Sequence, residues 1–123
     1  MEKILFWLYL GNTLMLIVHE IDSAYCEEWK LFRLPGGVAL FLLLHIPLLT
    51  PVLYGLVLLD RGVSVGLFLS LLVSIFGLFA FAIHTFFLRL GHPEFNTPVS
   101  LGILWTILPV SLAQLSLILL LLI

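Results

Sequence analysis

Apolar residues fill four long stretches of the chain, at about Ile4–Cys26, Val38–Leu59, Val63–Leu90 and Pro98–Ile123. A hydrocarbon core about 30 Å thick takes roughly 20 helical residues per crossing, so each stretch is long enough to span it. The joints are short. Asp60-Arg61-Gly62 reads as a tight turn and GHPEFNT, residues 91–97, as a connector. EEWKLFRLPGG, residues 27–37, is amphipathic and ends in a turn, with Tyr25 and Trp29 as interfacial anchors. Thr97 reads as an N-cap and Pro98 as the first helical residue after it. Pro47 and Pro51 predict bends in the second span. The expected fold is all-α: an antiparallel four-helix transmembrane bundle, with residues 1–123 as a single transmembrane domain.

Polar residues within the spans keep helical spacing. At about 100° per residue, Asn12, His19, Ser23 and Cys26 form one stripe on the first span. Tyr9, Thr13, Glu20 and Glu27 form a second beside it, and Asp22 flanks the first. The far side is Trp7, Leu10, Leu14, Ile17, Val18 and Ile21, a face for lipid. In the third span Gly66, Ser70, Ser74, Gly77 and Ala80 lead to His84; small residues at this spacing let helices approach closely. Ser100, Ser111 and Gln114 share a face of the fourth. His45 has no polar companion on its helix, and only the cost of exposing it to lipid predicts that it turns inward.

Alternating crossings put the end of span one, the start of span two, the end of span three and the start of span four at one membrane surface. All four histidines fall there (His19, His45, His84 and His92), together with Glu20, Asp22, Glu27, Glu28 and Glu94. His19, His45 and His84 lie roughly 6–12 Å below that surface, at 1.5 Å per residue. Lys30, Arg33 and Arg89 share the polar end, against Lys3 and Arg61 opposite, which predicts a cytoplasmic polar face.

Composition sharpens the class. Hydrophobic residues make up 63% of the chain and charged residues 10%, with a mean hydropathy of +1.28. A water-soluble domain could not hide that much apolar surface. A net charge of −2 gives no reason to expect nucleic acid as a partner. Cys26 is the single cysteine, which excludes an intramolecular disulfide and a CxxC redox pair. The first stretch lacks a small-x-small cleavage site and ends in histidine and acid, so it reads as a retained span.

Imidazoles from three helices beside carboxylates suit zinc, iron or manganese. His19 and Asp22, three residues apart, are neighbours on one helix face. The expected metal ligands are His19, Asp22, His45 and His84, with Glu20 or Glu27 as the catalytic acid/base or as a partner orienting a histidine, and His92 and Glu94 placed to close over the cluster. The plainer alternative is a hydrogen-bonded cluster that fixes helix packing. Glu28 points to the lipid side of its helix and reads as a headgroup-zone residue.

HEIDSAY followed by EEW, with the later LPGG and GHPEF, resembles small uncharacterised multi-span membrane proteins of bacteria and archaea. In particular it resembles the integral membrane family named for an HxxEE motif, which carries further histidines in later spans. Here His19 is followed by Asp22 and Ser23 instead of two glutamates. The resemblance implies a prokaryotic plasma-membrane protein with enzymatic chemistry and supplies no reaction.

Three functions remain open on the sequence. The first is a membrane-embedded metal-dependent enzyme, hydrolase-like, acting on a lipidic or amphipathic small molecule. The second is a b-type haem electron-transfer protein using His45 and His84 as axial ligands. The third is a non-catalytic accessory subunit of a membrane complex, or a small transporter. A chain this short calls for a homodimer if it is a carrier.

Overall fold

The four apolar stretches form four long helices in the computed structural model, which describes residues 1–123. They are α1 (Glu2–Tyr25), α3 (Gly37–Asp60), α4 (Ser64–Arg89) and α5 (Pro98–Leu122), with a four-residue helix, α2 (Glu28–Leu31), after the first. Each long helix is long and apolar enough to cross a membrane and begins and ends within two residues of its predicted span. There are no strands. Thr97 caps α5 by accepting the Ser100 N–H at 3.1 Å, with Pro98 at the first position.

The burial pattern is inverted relative to a soluble bundle. Trp7, Leu14, Ile21, Phe79, Trp105 and Leu120 are exposed, each by more than half. Asn12, Ser23, Ser70, Ser74, Ser111 and Gln114 are fully enclosed. Apolar side chains facing outward and polar ones satisfied inside is the arrangement hydrocarbon demands of a helical bundle.

α4 packs between α3 and α5, and α5 packs against α1, while α1 meets α3 more loosely. The close approaches need glycine. A Cβ on Gly66 would run into the backbone of Leu59, and one on Gly77 into the Ser111 hydroxyl. One network ties three helices at mid-depth. Asn12 donates to Ser111 Oγ at 3.0 Å and to Gln114 Oε1 at 2.8 Å; Gln114 Nε2 donates to Ser70 O and Oγ, both at 2.9 Å. The Tyr9 hydroxyl donates to the Val52 carbonyl at 2.7 Å and joins α1 to α3. α3 buries only Gly55 and Leu56, both near its C-terminal end. Its N-terminal half stands off from the bundle, and the histidines lie at that end.

Candidate functional site

His19 reaches the interior because it shares the stripe of Asn12 and Ser23, and His84 because it ends the small-residue stripe of α4. Their Nε2 atoms stand 3.0 Å apart, and the rings are 1% and 2% exposed. The third member comes from the turn after α1. Glu27 adopts a left-handed conformation (φ 54°), which reverses the chain and starts α2 pointing back over the bundle. Glu28 is thereby buried, with Oε1 3.2 Å from His84 Nε2. His19, Glu28 and His84 offer ligand atoms all within 4.8 Å of one another.

The spacing suits a cation. Two nitrogens held about 2.0–2.1 Å from a metal stand ~2.9 Å apart at a right angle and ~3.3 Å apart at the tetrahedral angle; the observed 3.0 Å lies between. Without a cation only one of the two neutral rings can donate across the gap, and that single N–H is left to serve both the facing ring and the Glu28 carboxylate. Both Nδ1 atoms are buried with no partner, a need that an ion at the Nε2 atoms does not meet. The Ser23 hydroxyl is buried beside them and faces the Glu28 carboxylate. Burial alone would push the Glu28 carboxyl up, but the His84 imidazole and the Ser23 hydroxyl beside it outweigh that and hold it below the usual range, as the carboxylate.

A lid covers the centre from the water side. Phe95, in the connector between α4 and α5, is 2% exposed, with its ring centroid 4.1 Å from that of His84 and 5.5 Å from that of His19. Its backbone is left-handed (φ 66°), strained for a side chain of this size, and it turns the ring inward.

A second pair stands beside the centre. His45 Nδ1 lies 2.6 Å from the Phe41 carbonyl and Nε2 lies 2.6 Å from Glu20 Oε2. A carbonyl oxygen only accepts, so Nδ1 carries a hydrogen, and a single further proton is shared between Nε2 and the Glu20 carboxylate. Glu20 and Glu28 both line the two cavities at this end of the bundle. One, of about 210 Å³, also takes in His19 and His84; the other, of about 270 Å³, takes in His45.

This geometry corrects several expectations. Asp22 and His45 do not join His19 and His84. Asp22 sits about 60° round α1 from His19, where Oδ1 receives the Cys26 thiol at 3.8 Å and Oδ2 is buried without a partner. His45 is held off by Glu20. Glu28 takes the position expected of Asp22 and is not a headgroup-zone residue, because the turn at Glu27 redirects it. Glu27 itself is exposed and pairs with Lys30 at 2.6 Å, away from the centre. His92 and Glu94 face each other at 3.6 Å within the connector; the residue that closes over the cluster is Phe95. Burial pushes the Cys26 thiol up, so it stays a thiol and is a poor ligand. The polar spacing of α1 and α4 carried His19 and His84. Nothing in periodicity could announce Glu28 or Phe95, whose directions depend on single left-handed residues.

Fold and site together define a polytopic membrane protein with an enclosed His–Glu–His centre at one end of its bundle. The chain belongs to the family of unknown function DUF6713, which it matches over residues 5–121. No curated protein and no solved structure matches it.

Proposed function

We propose that this protein is a membrane-embedded, metal-dependent hydrolase of a lipidic or amphipathic small molecule, with His19, Glu28 and His84 as the metal ligands. The observation that carries this reading is the 3.0 Å approach of two buried imidazole nitrogens beside a buried carboxylate. A divalent zinc, iron or manganese ion, if held by these three side chains, would supply Lewis-acid chemistry, favouring deprotonation of water and polarising an acyl carbonyl. Glu20 is the acid/base. It lines the same cavity as the three ligands and is oriented by His45 at 2.6 Å. It takes a proton from a water molecule as the water oxygen bonds to the acyl carbon; the ester C–O bond then breaks, and the proton passes to the departing alkoxide, giving a carboxylic acid and an alcohol. Phe95 and α2 exclude bulk water, which strengthens every charge interaction inside. On this reading the polar end, with Lys30, Arg33 and Arg89, faces the cytoplasm of a prokaryotic plasma membrane.

The haem alternative rests on His45 and His84 as an axial pair. Both ring nitrogens of His45 are engaged and His84 Nε2 is 3.0 Å from His19, so these distances favour a single metal ion over a porphyrin. An accessory subunit would need no such convergence.

The test is release of fatty acid from a monoacylglycerol in mixed micelles. Turnover is expected to vanish with EDTA, return with Zn²⁺ or Mn²⁺, and fall ~10²–10⁴-fold in Glu20→Gln with metal content unchanged. Turnover indifferent to EDTA, or absent with zinc, iron and manganese alike, overturns the proposal.

A further inference from the structure

The cavity beside the centre is shaped to receive something from the side. Its polar end is His19, Glu20, Glu28 and His84; the rest, Thr13 apart, is apolar, running between α1, α3 and α4 past Leu16, Val52, Val73 and Ala80. Leu48, Phe76 and Phe79 form its rim, exposed by 42%, 48% and 60%. All three stand near the middle of their helices, Leu48 in Gly37–Asp60 and the phenylalanines in Ser64–Arg89. Phe79 is five residues before His84, so the rim lies about 7.5 Å deeper in the membrane than the histidine. At that depth the surroundings are hydrocarbon. The cleft exists because α3 is packed into the bundle only around Gly55 and Leu56, leaving its other half apart from α4. At the polar end Phe95 covers the His19 and His84 rings.

Size and charge limit the occupant. About 210 Å³ exceeds the ~150 Å³ cavity that takes up benzene, giving room for a segment of a single hydrocarbon chain. No lysine or arginine lines either cavity, while Glu20 and Glu28 line both. A phosphate group would meet two carboxylates and none of the side chains that bind phosphate strongly. An uncharged ester meets no such repulsion.

We propose that the cleft between α3 and α4 admits a neutral single-chain ester lipid sideways from the bilayer, its chain along Leu48, Val73 and Phe79 and its ester at His19, Glu28 and His84. The seating of the chain stands on the cleft alone; the position of the ester rests on the function proposed above.

The experiment uses the full chain in phosphatidylcholine nanodiscs with EDTA present, so that neither metal nor turnover enters the readout. The probe is a monoacylglycerol with a diazirine in its acyl chain, and sites of labelling are read by peptide mass spectrometry. Labelling is expected to concentrate at Leu48, Phe76, Phe79 and Ala80 and to be competed by unlabelled monoacylglycerol. It is expected to drop more than tenfold in Ala80→Trp and in Leu48→Trp, the second at an exposed position that does not threaten folding. A lysophosphatidate carrying the same diazirine is expected to label at least tenfold less. Labelling spread evenly to Ile4, Trp7 and Leu120, or unchanged in both variants, overturns the seating of the chain. Equal labelling by the phosphate probe overturns the choice of a neutral head. Disulfide-trapped dimers of Leu48→Cys in place of lipid labelling would give the cleft to a second copy and overturn it too. A centre without metal-dependent hydrolysis would leave this labelling pattern intact, so the two failures are distinguishable.

Discussion

Glu28→Gln removes one carboxylate charge from the centre while keeping the size of the side chain. Its Oε1 is 3.2 Å from His84 Nε2, within reach of an ion shared with His19. Losing a group that merely orients a metal ligand costs 10–100-fold in affinity. Losing a charged ligand should exceed that, so at least ~100-fold, or ~2.8 kcal/mol, is expected. The assay is competition for Zn²⁺ against a chromophoric chelator in detergent. Glu27→Gln is the matched control, one residue away, exposed and paired only with Lys30. It should change affinity by less than twofold. Equal weakening by both variants would mean a diffuse field of surface carboxylates, not a three-ligand centre. No weakening by Glu28→Gln would remove Glu28 from the ligand set.

Other outcomes follow from the same geometry. The Glu28 carboxyl is held below its unfolded value, so its contribution to stability is complete above the unfolded carboxyl pKa near ~4.3 and is lost as pH falls through the lower folded value. The thermal midpoint of the metal-free protein should therefore fall more steeply from pH 5 to pH 3 than that of Glu28→Gln; parallel curves would contradict this. Gly66→Ala drives a methyl group into the Leu59 backbone and should destabilise the bundle by ~1–3 kcal/mol in detergent unfolding, an unchanged midpoint counting against the α3–α4 approach. Asn12→Ala leaves Ser111 and Gln114 without their shared donor and should cost ~0.6–1.7 kcal/mol. The double variant with Gln114→Leu should lose less than the sum, which a double-mutant cycle reads directly.

How much of this was legible in the sequence depended on the range of the cause. The four helices could be read because length and apolarity set them locally, and the interior faces of α1 and α4 because polar and small residues recur at helical spacing. Asn12, Ser23, Ser74 and Gly77 are buried as that spacing requires, and the Thr97–Pro98 start of α5 is a local signal realised as a hydrogen bond. Glu28 and Phe95 escaped because their directions follow from backbone reversals at Glu27 and at Phe95 itself, where neither residue is glycine. Such conformations are held by tertiary contacts and leave no periodic trace. His45 and Glu20 were both placed at the right end of the bundle, but which histidine Glu20 would meet was not legible. The two sit on different helices, and the standoff of α3 decides that pairing.

His19, Glu28 and His84 are proposed above to hold one divalent cation between them. Elemental analysis after zinc loading and removal of loose metal tests it most directly, on the native protein and on folded His19→Ala and His84→Ala variants. About one zinc per native chain, and under a tenth of that in each variant, is the predicted result. Zinc near zero in the native protein, or equal in all three, would contradict it.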